Sequence, residues 1–305
     1  MKAAWIYCLV NCVHSSSIIC SRSSDVMSQM SGTHFVEMSE DEFTKEAIGI
    51  VEKAQSRGVC LRVLGSLAAY IRSLNNGYGD LVKSLGRFGE GMPLFTDLDL
   101  AAYGKQKGGI DKLFRELAFE PDAMVNAMFG HQRLIYYHPQ RKYHIDVFLN
   151  KLEFSHDVEF GDKPGSGRLE LDYPTISPAD IVLEKLQIHQ INRKDLIDLI
   201  VLLLVHDVQS QFGKDVIDGG YIGTTLSDEW GFWYDATTNL EKVRGQLGAL
   251  TKEGKLSSEQ SQVVQDRIEK LLTQITSAPK TRNWEKRAKV GMKKAWYRDV
   301  EEVQR

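Results

Sequence analysis

The sequence predicts an α/β fold in which a mixed sheet is followed by a helical region, and three observations support that prediction. From Ser39 the chain shows a helical pattern with an acidic first turn, the apolar run "VCLRVLGS", and then the helical spacing of "LAAYIRSLNNG". Two later apolar runs, "LFTDLDLAAYG" and "KYHIDVFLN", have the composition of buried strands. Beyond Tyr173 the periodicity is helical to the end of the chain.

The elements between these landmarks follow from the same rules. "GGIDKLFRELAF" is predicted to be an amphipathic helix, and "RLIYYHP" forms a β-hairpin with "KYHIDVFLN". "LEFSHDVEF" and "RLELDYPTI" are predicted to be two further strands joined by "GDKPGSG". Ser177, Pro178 and Asp180 mark the start of the helix "PADIVLEKLQIHQ", and Asn192 with Asp195 marks that of "RKDLIDLIVLLLVHD".

The chain has 305 residues, which is long enough for two domains. We predict a mixed-sheet domain over residues 39–173 and a helical domain over residues 174–305. Residues 1–38 are predicted to be a disordered or mis-assigned extension, because their apolar run is too short to span a bilayer and lacks a cleavage site. The alternative start positions within that extension are Met27, Met30 and Met38.

Composition excludes several classes of protein. The net charge of −3 gives no global attraction to nucleic acid or to an anionic membrane, so any polyanion would have to bind a local basic patch. The four cysteines form no CxxC pair, so neither a zinc knuckle nor a disulfide framework is predicted. We therefore expect a cytoplasmic protein with no membrane partner.

Carboxylates interrupt two of the apolar strands. Asp97 and Asp99 alternate with Leu98 and Leu100, so both carboxylates are expected on one face of a strand. Adjacent carboxylates repel each other unless a cation lies between them, and a hard divalent ion such as Mg²⁺ accepts oxygen ligands. Asp146 interrupts the strand "YHIDVFL" in the same way. The sequence therefore predicts a metal site at Asp97, Asp99 and Asp146, with Asp146 also helping to deprotonate an attacking hydroxyl.

A Gly-Ser turn at the end of the first strand fits the same site. Gly65 lets the backbone approach a ligand closely, and the helix that follows offers free N–H groups to an anion. A triphosphate held at Gly65 and Ser66, with its oxygens shared by the metal ions, would be positioned for in-line attack.

The string "hhGS … DhDh … hDh", with h for an apolar residue, resembles the nucleotidyltransferase superfamily typified by DNA polymerase beta. The resemblance extends over roughly residues 45–160 and implies that superfamily's mixed sheet. It also implies contacts of Gly65 and Ser66 with the phosphates of an NTP such as ATP. The catalytic residues it implies, which are also the ligands of Mg²⁺ or Mn²⁺, are Asp97, Asp99 and Asp146.

The segment "ADIVLEKLQIHQINRKDLIDLIVLLL" adds a likeness to abortive-infection type nucleotidyltransferases, in which an "EKL" helix precedes an "R-x-D or K-D … D-L" helix. Carried over, Lys185 would contact the triphosphate, and Asp195 would orient it or act as a base. A structural alternative stays open. In it, Lys185 is a solvated helix lysine, Asp195 a capping residue and Asp198 an exposed partner of Lys194.

Two aromatic-rich segments also have competing interpretations. The aromatic residues Trp230, Trp233 and Tyr234 of "SDEWGFWYDATTNL" are able to stack on a base, but we expect them to form the core of the helical region. "PKTRNWEKRAKVGMKKAWYRD" sets eight Lys and Arg residues against two acidic ones, with aromatics interleaved. That combination suits an RNA backbone, and the alternative is a terminal helix with packed aromatics and solvated charges.

These expectations converge on a metal-dependent nucleotidyltransferase. It would move a nucleoside monophosphate from an NTP to a hydroxyl group and release pyrophosphate. The acceptor is left open among RNA (tRNA in the toxin-like case), a protein side chain and a small molecule such as an aminoglycoside, with the basic tail favouring RNA. The competing class is a non-catalytic nucleotide-binding module, or a toxin–antitoxin interaction module, on the same fold.

Overall fold

A computed structural model describes residues 38–87 and 95–300 of the chain. The predicted N-terminal extension, apart from Met38, lies outside the described residues. The described residues belong to one compact unit, Val36–Arg305. A single cluster of buried apolar side chains runs through this unit from Phe43 to Ile275. The predicted domain border near residue 173 stays a prediction.

Five strands form one mixed sheet, which confirms the predicted sheet type. They are β1 (Leu61–Val63), β2 (Asp97–Ala102), β3 (Glu120–Pro121), β4 (Arg133–Tyr137) and β5 (His144–Leu149). Their order across the sheet is β1-β2-β5-β4-β3. β2 and β5 are parallel neighbours at its centre, and the other pairs are antiparallel. The predicted hairpin of β4 and β5 is therefore confirmed.

The helices that accompany the sheet are α1 (Glu40–Ser56), α2 (Gly65–Leu74), α3 (Gly79–Ser84), α4 (Lys107–Glu116) and α5 (Ala123–Phe129). α1 begins where predicted, because the Ser39 side chain and the Glu42 side chain cap each other's backbone N–H in a capping box. α2 begins directly after β1 at Gly65, so the Gly-Ser turn is a strand-to-helix turn.

Two of the predicted strands were wrong. "LEFSHDVEF" is a small hairpin of β6 (Lys151–Glu153) and β7 (Asp157–Glu159), not one strand. "RLELDYPTI" begins with a 3₁₀ turn at Leu169–Leu171 and then makes only one parallel bridge, between Val63 and Thr175. Pro174 has no N–H to donate to a ladder, so the pairing with β1 cannot extend through it.

The C-terminal region is helical, as predicted, with one exception. Its helices are α6 (Pro178–Leu186), α7 (Arg193–Val205), α8 (Gly219–Leu226), α9 (Trp230–Lys252), α10 (Ser258–Ser277) and α11 (Arg282–Val290). The prediction of an all-helical region missed a short parallel pair, β8 (Val208–Gln209) with β9 (Ile217–Asp218). Within residues 38–87 and 95–300, no helix has both the length and the apolar composition to cross a membrane.

α6 connects the helical region to the sheet. It packs against α2 on one side and against α7 and α9 on the others, and all nine of its residues are buried. Ser177 caps its first turn and Pro178 occupies the first helical position, so the start predicted from the sequence is confirmed. Polar side chains on α6 are therefore forced into the interior beside the Gly-Ser turn.

Candidate active site

The parallel pairing of β2 with β5 sets two carboxylates side by side. Asp99 lies directly opposite Asp146 in the register of the two strands, so their side chains emerge on the same face of the sheet. Asp97 stands two residues earlier on β2 and shares that face. Leu98 and Leu100 are buried on the opposite face, as the alternation predicted.

The Gly-Ser turn meets the acidic strand directly. The Leu64 N–H donates to the Asp99 carbonyl oxygen at 3.0 Å, because β1 is hydrogen-bonded to β2 up to this point. Gly65 has φ +73°, and a Cβ at this position would lie only 2.9 Å from the Asp99 Oδ2. Both the backbone angle and the close approach therefore require glycine at residue 65.

Asp99 is the carboxylate of the site whose ionised form is most strongly disfavoured. Burial is the main cause that raises its pKa well above the ordinary value, and the nearby charges of Asp97, Asp146 and Glu184 add to it. Lys185 acts in the opposite direction without cancelling the effect. The carboxylates around Asp99 thus lack sufficient positive charge.

Asp146 differs from Asp99 because it has cationic partners. Arg133 on β4 donates to both of its oxygens, from Nε at 3.1 Å and from Nη2 through a second, shorter bond. His144 Nε2 lies 3.6 Å from its Oδ2. Burial by itself would raise the pKa of Asp146, but the hydrogen bonds from His144 and Arg133 outweigh burial and hold that pKa below its usual value.

Lys185 lies in a buried network of carboxylates. Its Nζ is 3.0 Å from the Asp195 Oδ1 and 3.1 Å from the Asp198 Oδ2. Burial would lower the pKa of Lys185, but Asp198, Glu184 and Asp195 raise it above the usual range, so the ammonium stays charged. Asp198 is also paired with Arg87, whose Nε lies 2.9 Å from the Asp198 Oδ1.

This network overturns the structural alternative for the same segment. Lys185 is only 5% exposed and Asp198 only 3%, so Lys185 is not a solvated lysine and Asp198 is not an exposed residue. The cap of α7 is Asn192, whose side chain accepts from the N–H groups of Lys194 and Asp195. The Asp195 carboxylate is thereby left to bind Lys185.

Glu184 is a site residue that the sequence analysis missed. It is buried on α6, and its Oε2 accepts the Gly65 N–H at 2.9 Å, which fixes the Gly-Ser turn to the helical region. Burial raises the pKa of Glu184, with Lys185 and the Gly65 hydrogen bond opposing that rise. The signal in the sequence was an adjacent Glu-Lys pair flanked by the apolar residues of "IVLEKL", where buried charges need partners.

Two adjacent cavities open at these residues. The smaller, of about 250 Å³, is lined by Gly65, Ser66, Asp97, Asp99 and Lys185, among others. The larger, of about 750 Å³, is lined by residues that include Asp97, Asp146, Arg133 and His189. Both cavities share Asp97 and Asp195, so the acidic residues stand where the two spaces meet. All six site residues predicted from the sequence line one cavity or the other.

The donor atoms of the site are of the chemical type that a hard divalent cation binds. Carboxylate oxygens are the ligands that Mg²⁺ and Mn²⁺ prefer, and the repulsion around Asp99 would be relieved by such an ion. In the described part of the chain, however, no three His, Cys, Asp or Glu side chains are placed so that together they could hold one metal ion. Asp97 and Asp99 share one face of β2, whereas the Asp146 carboxylate is paired with Arg133.

The aromatic residues of the C-terminal region pack against one another. Trp230 stacks on Tyr234, and the edge of Trp296 meets both rings. Trp233 meets Trp284 edge to face, with ring centroids 5.2 Å apart. Trp230 is buried, whereas Trp233 and Tyr234 are half-buried, so these three residues pack at the edge of the helical core and not at its centre as expected. Tyr297 and Arg298 differ, because they line the larger cavity.

Comparisons of the chain with protein-family models, with curated proteins and with solved structures found no match. A functional assignment therefore depends on the geometry of the site. That geometry joins a glycine turn, an acidic strand pair and a buried lysine network around two adjacent cavities.

Proposed function

We propose that this protein is a metal-dependent nucleotidyltransferase that moves a nucleoside monophosphate from an NTP to a hydroxyl acceptor and releases pyrophosphate. The observation that supports this most strongly is the approach of Gly65 to Asp99, where a Cβ would lie 2.9 Å from the Asp99 Oδ2. A glycine turn that leads into a helix thus lies beside carboxylates on two paired strands. A nucleotidyltransferase-type sheet would need this juxtaposition.

The smaller cavity would take the triphosphate. Its lining combines three cationic side chains, Arg87, Lys185 and Lys194, with the carboxylates of Asp97 and Asp99. Cations attract the phosphate oxygens, and the N-terminus of α2 adds a favourable dipole for an anion. The Ser66 side chain also lines this cavity and is available as a further donor to phosphate.

Each residue has a defined task in this proposal. Asp97 and Asp99 would hold Mg²⁺ or Mn²⁺, which when bound supplies charge neutralisation at the phosphates. Asp195 orients Lys185 by accepting its hydrogen bond at 3.0 Å, so that the ammonium faces the triphosphate from a fixed position. Asp146 would become a third metal ligand if its carboxylate released Arg133 and bound the ion instead.

The test is transfer of label from NTPs. Each α-³²P-NTP is incubated with the protein and Mg²⁺ or Mn²⁺ in a cell extract, which is then separated into RNA, protein and small molecules. The control protein is the Asp97→Ala, Asp99→Ala double variant. Parallel reactions with γ-³²P-NTP distinguish transfer of a nucleoside monophosphate from transfer of the terminal phosphoryl group.

We expect α-label, but not γ-label, in one fraction with the intact protein alone. The labelled fraction then identifies the acceptor class, for which the basic C-terminal segment favours RNA. Absence of α-label above the double variant in every fraction would contradict the proposed transfer. It would favour a nucleotide-binding or toxin–antitoxin interaction module on the same fold.

A further inference from the structure

The larger cavity extends beyond the proposed NTP site. One part of its lining is Asp97 and Asp146, and another is His189 together with Tyr297 and Arg298 from the C-terminal segment. Its volume of about 750 Å³ lies within the range of small-molecule sites, roughly 300–1,000 Å³. The acceptor hydroxyl of a transferase has to reach the phosphate from a space adjoining the NTP, and this cavity adjoins the proposed NTP site through their shared lining residues.

His189 is held in one orientation within the cavity lining. Its Nδ1 lies 2.9 Å from the Oδ1 of Asp235, a carboxylate on α9 that is only 3% exposed. The ring also stacks on Tyr297, with centroids 3.5 Å apart and an interplanar angle of 14°. Trp296 donates its Nε1–H to the same Asp235 oxygen at 3.1 Å. The imidazole plane is therefore fixed from two sides.

The hydrogen bond to Asp235 also fixes the tautomer. Burial would raise the pKa of Asp235, but hydrogen bonds from His156, His189 and Trp296 lower it, so the carboxylate is ionised and only accepts. The His189 Nδ1 must then be the donor, which leaves the Nε2 lone pair of the neutral ring free to accept a proton. Among the described residues, no hydrogen bond engages that Nε2.

Two other possible proton acceptors of the cavity, Asp146 and Asp195, are already engaged by cations. Both oxygens of Asp146 accept hydrogen bonds from Arg133, and His144 faces Asp146 at 3.6 Å. Asp195 accepts from the Lys185 ammonium. An aspartate-held imidazole with a free second nitrogen is the arrangement that activates hydroxyl groups in many enzymes.

We infer that His189 is the general base that activates the acceptor hydroxyl, with Asp235 as its positioning residue, and this inference depends on the proposed function. The hydroxyl proton passes to the His189 Nε2 while the hydroxyl oxygen forms a bond to the α-phosphorus. The bond from that phosphorus to the bridging oxygen breaks, and pyrophosphate leaves with the electron pair. The imidazolium then returns its proton to water, so the ring is unchanged over the cycle.

The charged groups near this ring and those that line its cavity enter any pH dependence of the reaction. Asp235 approaches from α9, and behind it His156 is clamped between Asp235 and Glu229 at 2.8 Å from each. Arg298 and Asp299 of the C-terminal segment and Asp195 of α7 line the same cavity. Asp235 is the only one of these for which a direct hydrogen bond to the His189 ring is found among the described residues.

The test compares His189→Asn with His131→Asn in the labelled-transfer reaction. The asparagine side-chain amide at residue 189 can still donate to Asp235 but provides no basic nitrogen. His131 is an exposed histidine just before β4, so it serves as the matched control. We expect kcat of His189→Asn to fall by about 10²- to 10⁴-fold, the usual contribution of a general base, with little change in KM for NTP.

The pH profile separates a catalytic role from a structural one. The pH dependence of kcat should differ between the wild type and His189→Asn, because only the wild type has a basic ring nitrogen at residue 189. NTP-induced thermal stabilisation of His189→Asn should equal that of the wild type, which shows a folded site. If His189→Asn keeps the kcat and the pH dependence of the wild type, the inference about His189 is overturned while the proposed function still stands. Absence of transfer by the wild-type protein would overturn the proposed function and the inference with it.

Discussion

Asp99 is a carboxylate whose ionised form is disfavoured by its surroundings in the folded protein. It lies between Asp97 on the same strand and Asp146 on the neighbouring strand, and it touches the Gly65 turn. Charges placed in this way weaken folding unless a bound cation compensates them. At the scale of single residues, Asp99 therefore lowers the stability of the protein, and the proposed metal ion would offset that loss.

Replacing Asp99 with asparagine should stabilise the protein in the absence of divalent cations. The pKa of Asp99 is raised by burial and by its acidic neighbours, so the folded state binds its proton more tightly than the unfolded state does. Stability therefore falls as the pH rises from about 4 through the folded-state pKa. The Asp99→Asn variant has no carboxylate to ionise at this position, so its stability does not fall in this way. Its unfolding free energy at pH 7 should exceed that of the wild type by on the order of 1 kcal/mol, the size of a typical single-residue effect.

The measurement is urea unfolding in the presence of a chelator, from pH 4 to pH 8. The difference between Asp99→Asn and the wild type should grow with pH. The exposed Asp80 in the first turn of α3 provides the control, because Asp80→Asn should give no gain in stability with pH and lose at most about 1 kcal/mol of helix-dipole stabilisation. A variant Asp99→Asn that is less stable than the wild type at pH 7 would contradict the electrostatic account of this site.

A comparison of Gly65 with Gly58 distinguishes the effect of backbone strain from that of the close contact at Asp99. Gly65 and Gly58 have φ +73° and +70°, but only at Gly65 would a Cβ meet another atom, the Asp99 Oδ2 at 2.9 Å. Each change to alanine should cost about 1–2 kcal/mol of unfolding free energy for the left-handed backbone. Only Gly65→Ala should also displace the Asp99 carboxylate, and so abolish metal-dependent NTP binding in a thermal-shift titration. Equal NTP binding by the two variants would show that the approach to Asp99 does not matter.

At the scale of secondary-structure elements, the register of β2 with β5 and the starts of α6 and α7 create the site. The strand register sets Asp99 opposite Asp146. The two helices bring Lys185 and Asp195 to the same place, because Ser177 and Asn192 define where each helix begins. A change of one residue in any of these starts or registers would turn the functional side chains away.

The Asn192 cap should affect both stability and the site. Its side chain accepts the N–H of Asp195 at 3.2 Å, and the Asp195 carboxylate in turn binds Lys185. Asn192→Ala should lose about 1 kcal/mol of unfolding free energy and should also weaken NTP binding severalfold. Ser257→Ala removes the exposed cap of α10 and should lose the same stability without changing NTP binding. Urea unfolding and NTP titration of both variants provide the comparison, and equal NTP affinities would contradict the role given to Asp195.

The sequence was sufficient for elements and residues whose signals are local. The alternation around Asp97 and Asp99, the Gly65 turn and the helix starts at Ser39 and Ser177 each depend on a few neighbouring residues, and each lies where predicted. The strand expected at "RLELDYPTI" failed because one proline outweighed an apolar pattern.

The partners of the site residues were beyond such reasoning. Glu184 binds the Gly65 N–H across 119 positions of sequence, and Asp235 holds His189 across 46. Such pairs are set by how helices pack on the sheet, and no local pattern encodes the partner. Arg133 was missed for a related reason, because its contact with Asp146 crosses the β4–β5 hairpin on a face whose occupants the alternation alone does not identify.

At the scale of the whole molecule, one apolar core joins the sheet to the C-terminal helices. The cluster of buried side chains includes Phe43 of α1, Leu100 of β2, Leu183 of α6 and Ile268 of α10. Both cavities lie where α6 and the residues that follow it face the sheet, so the site depends on this shared core.

A shared core predicts that the sheet and the helical region unfold together. In scanning calorimetry the protein should show one main transition, with a calorimetric enthalpy equal to the van't Hoff enthalpy. Leu183→Ala, in the buried helix between the two regions, should lower the unfolding free energy by about 2–5 kcal/mol. The midpoint temperature should fall, and the protein should still unfold in a single transition. Two separate transitions in the wild-type protein would instead indicate that residues 39–173 and 174–305 are independent domains.

The central claim is that the Gly65 turn and the acidic strands form one site for an NTP and a divalent cation. The most direct measurement is the thermal midpoint with and without NTP, in Mg²⁺ and in chelator, for the wild type and for the Asp97→Ala, Asp99→Ala variant. At a nucleotide concentration 100 times Kd, binding should stabilise the wild type by about 2.7 kcal/mol in Mg²⁺, with little effect in chelator. The double variant should show no metal-dependent gain. Equal stabilisation by NTP with and without Mg²⁺, or none in either condition, would contradict the account.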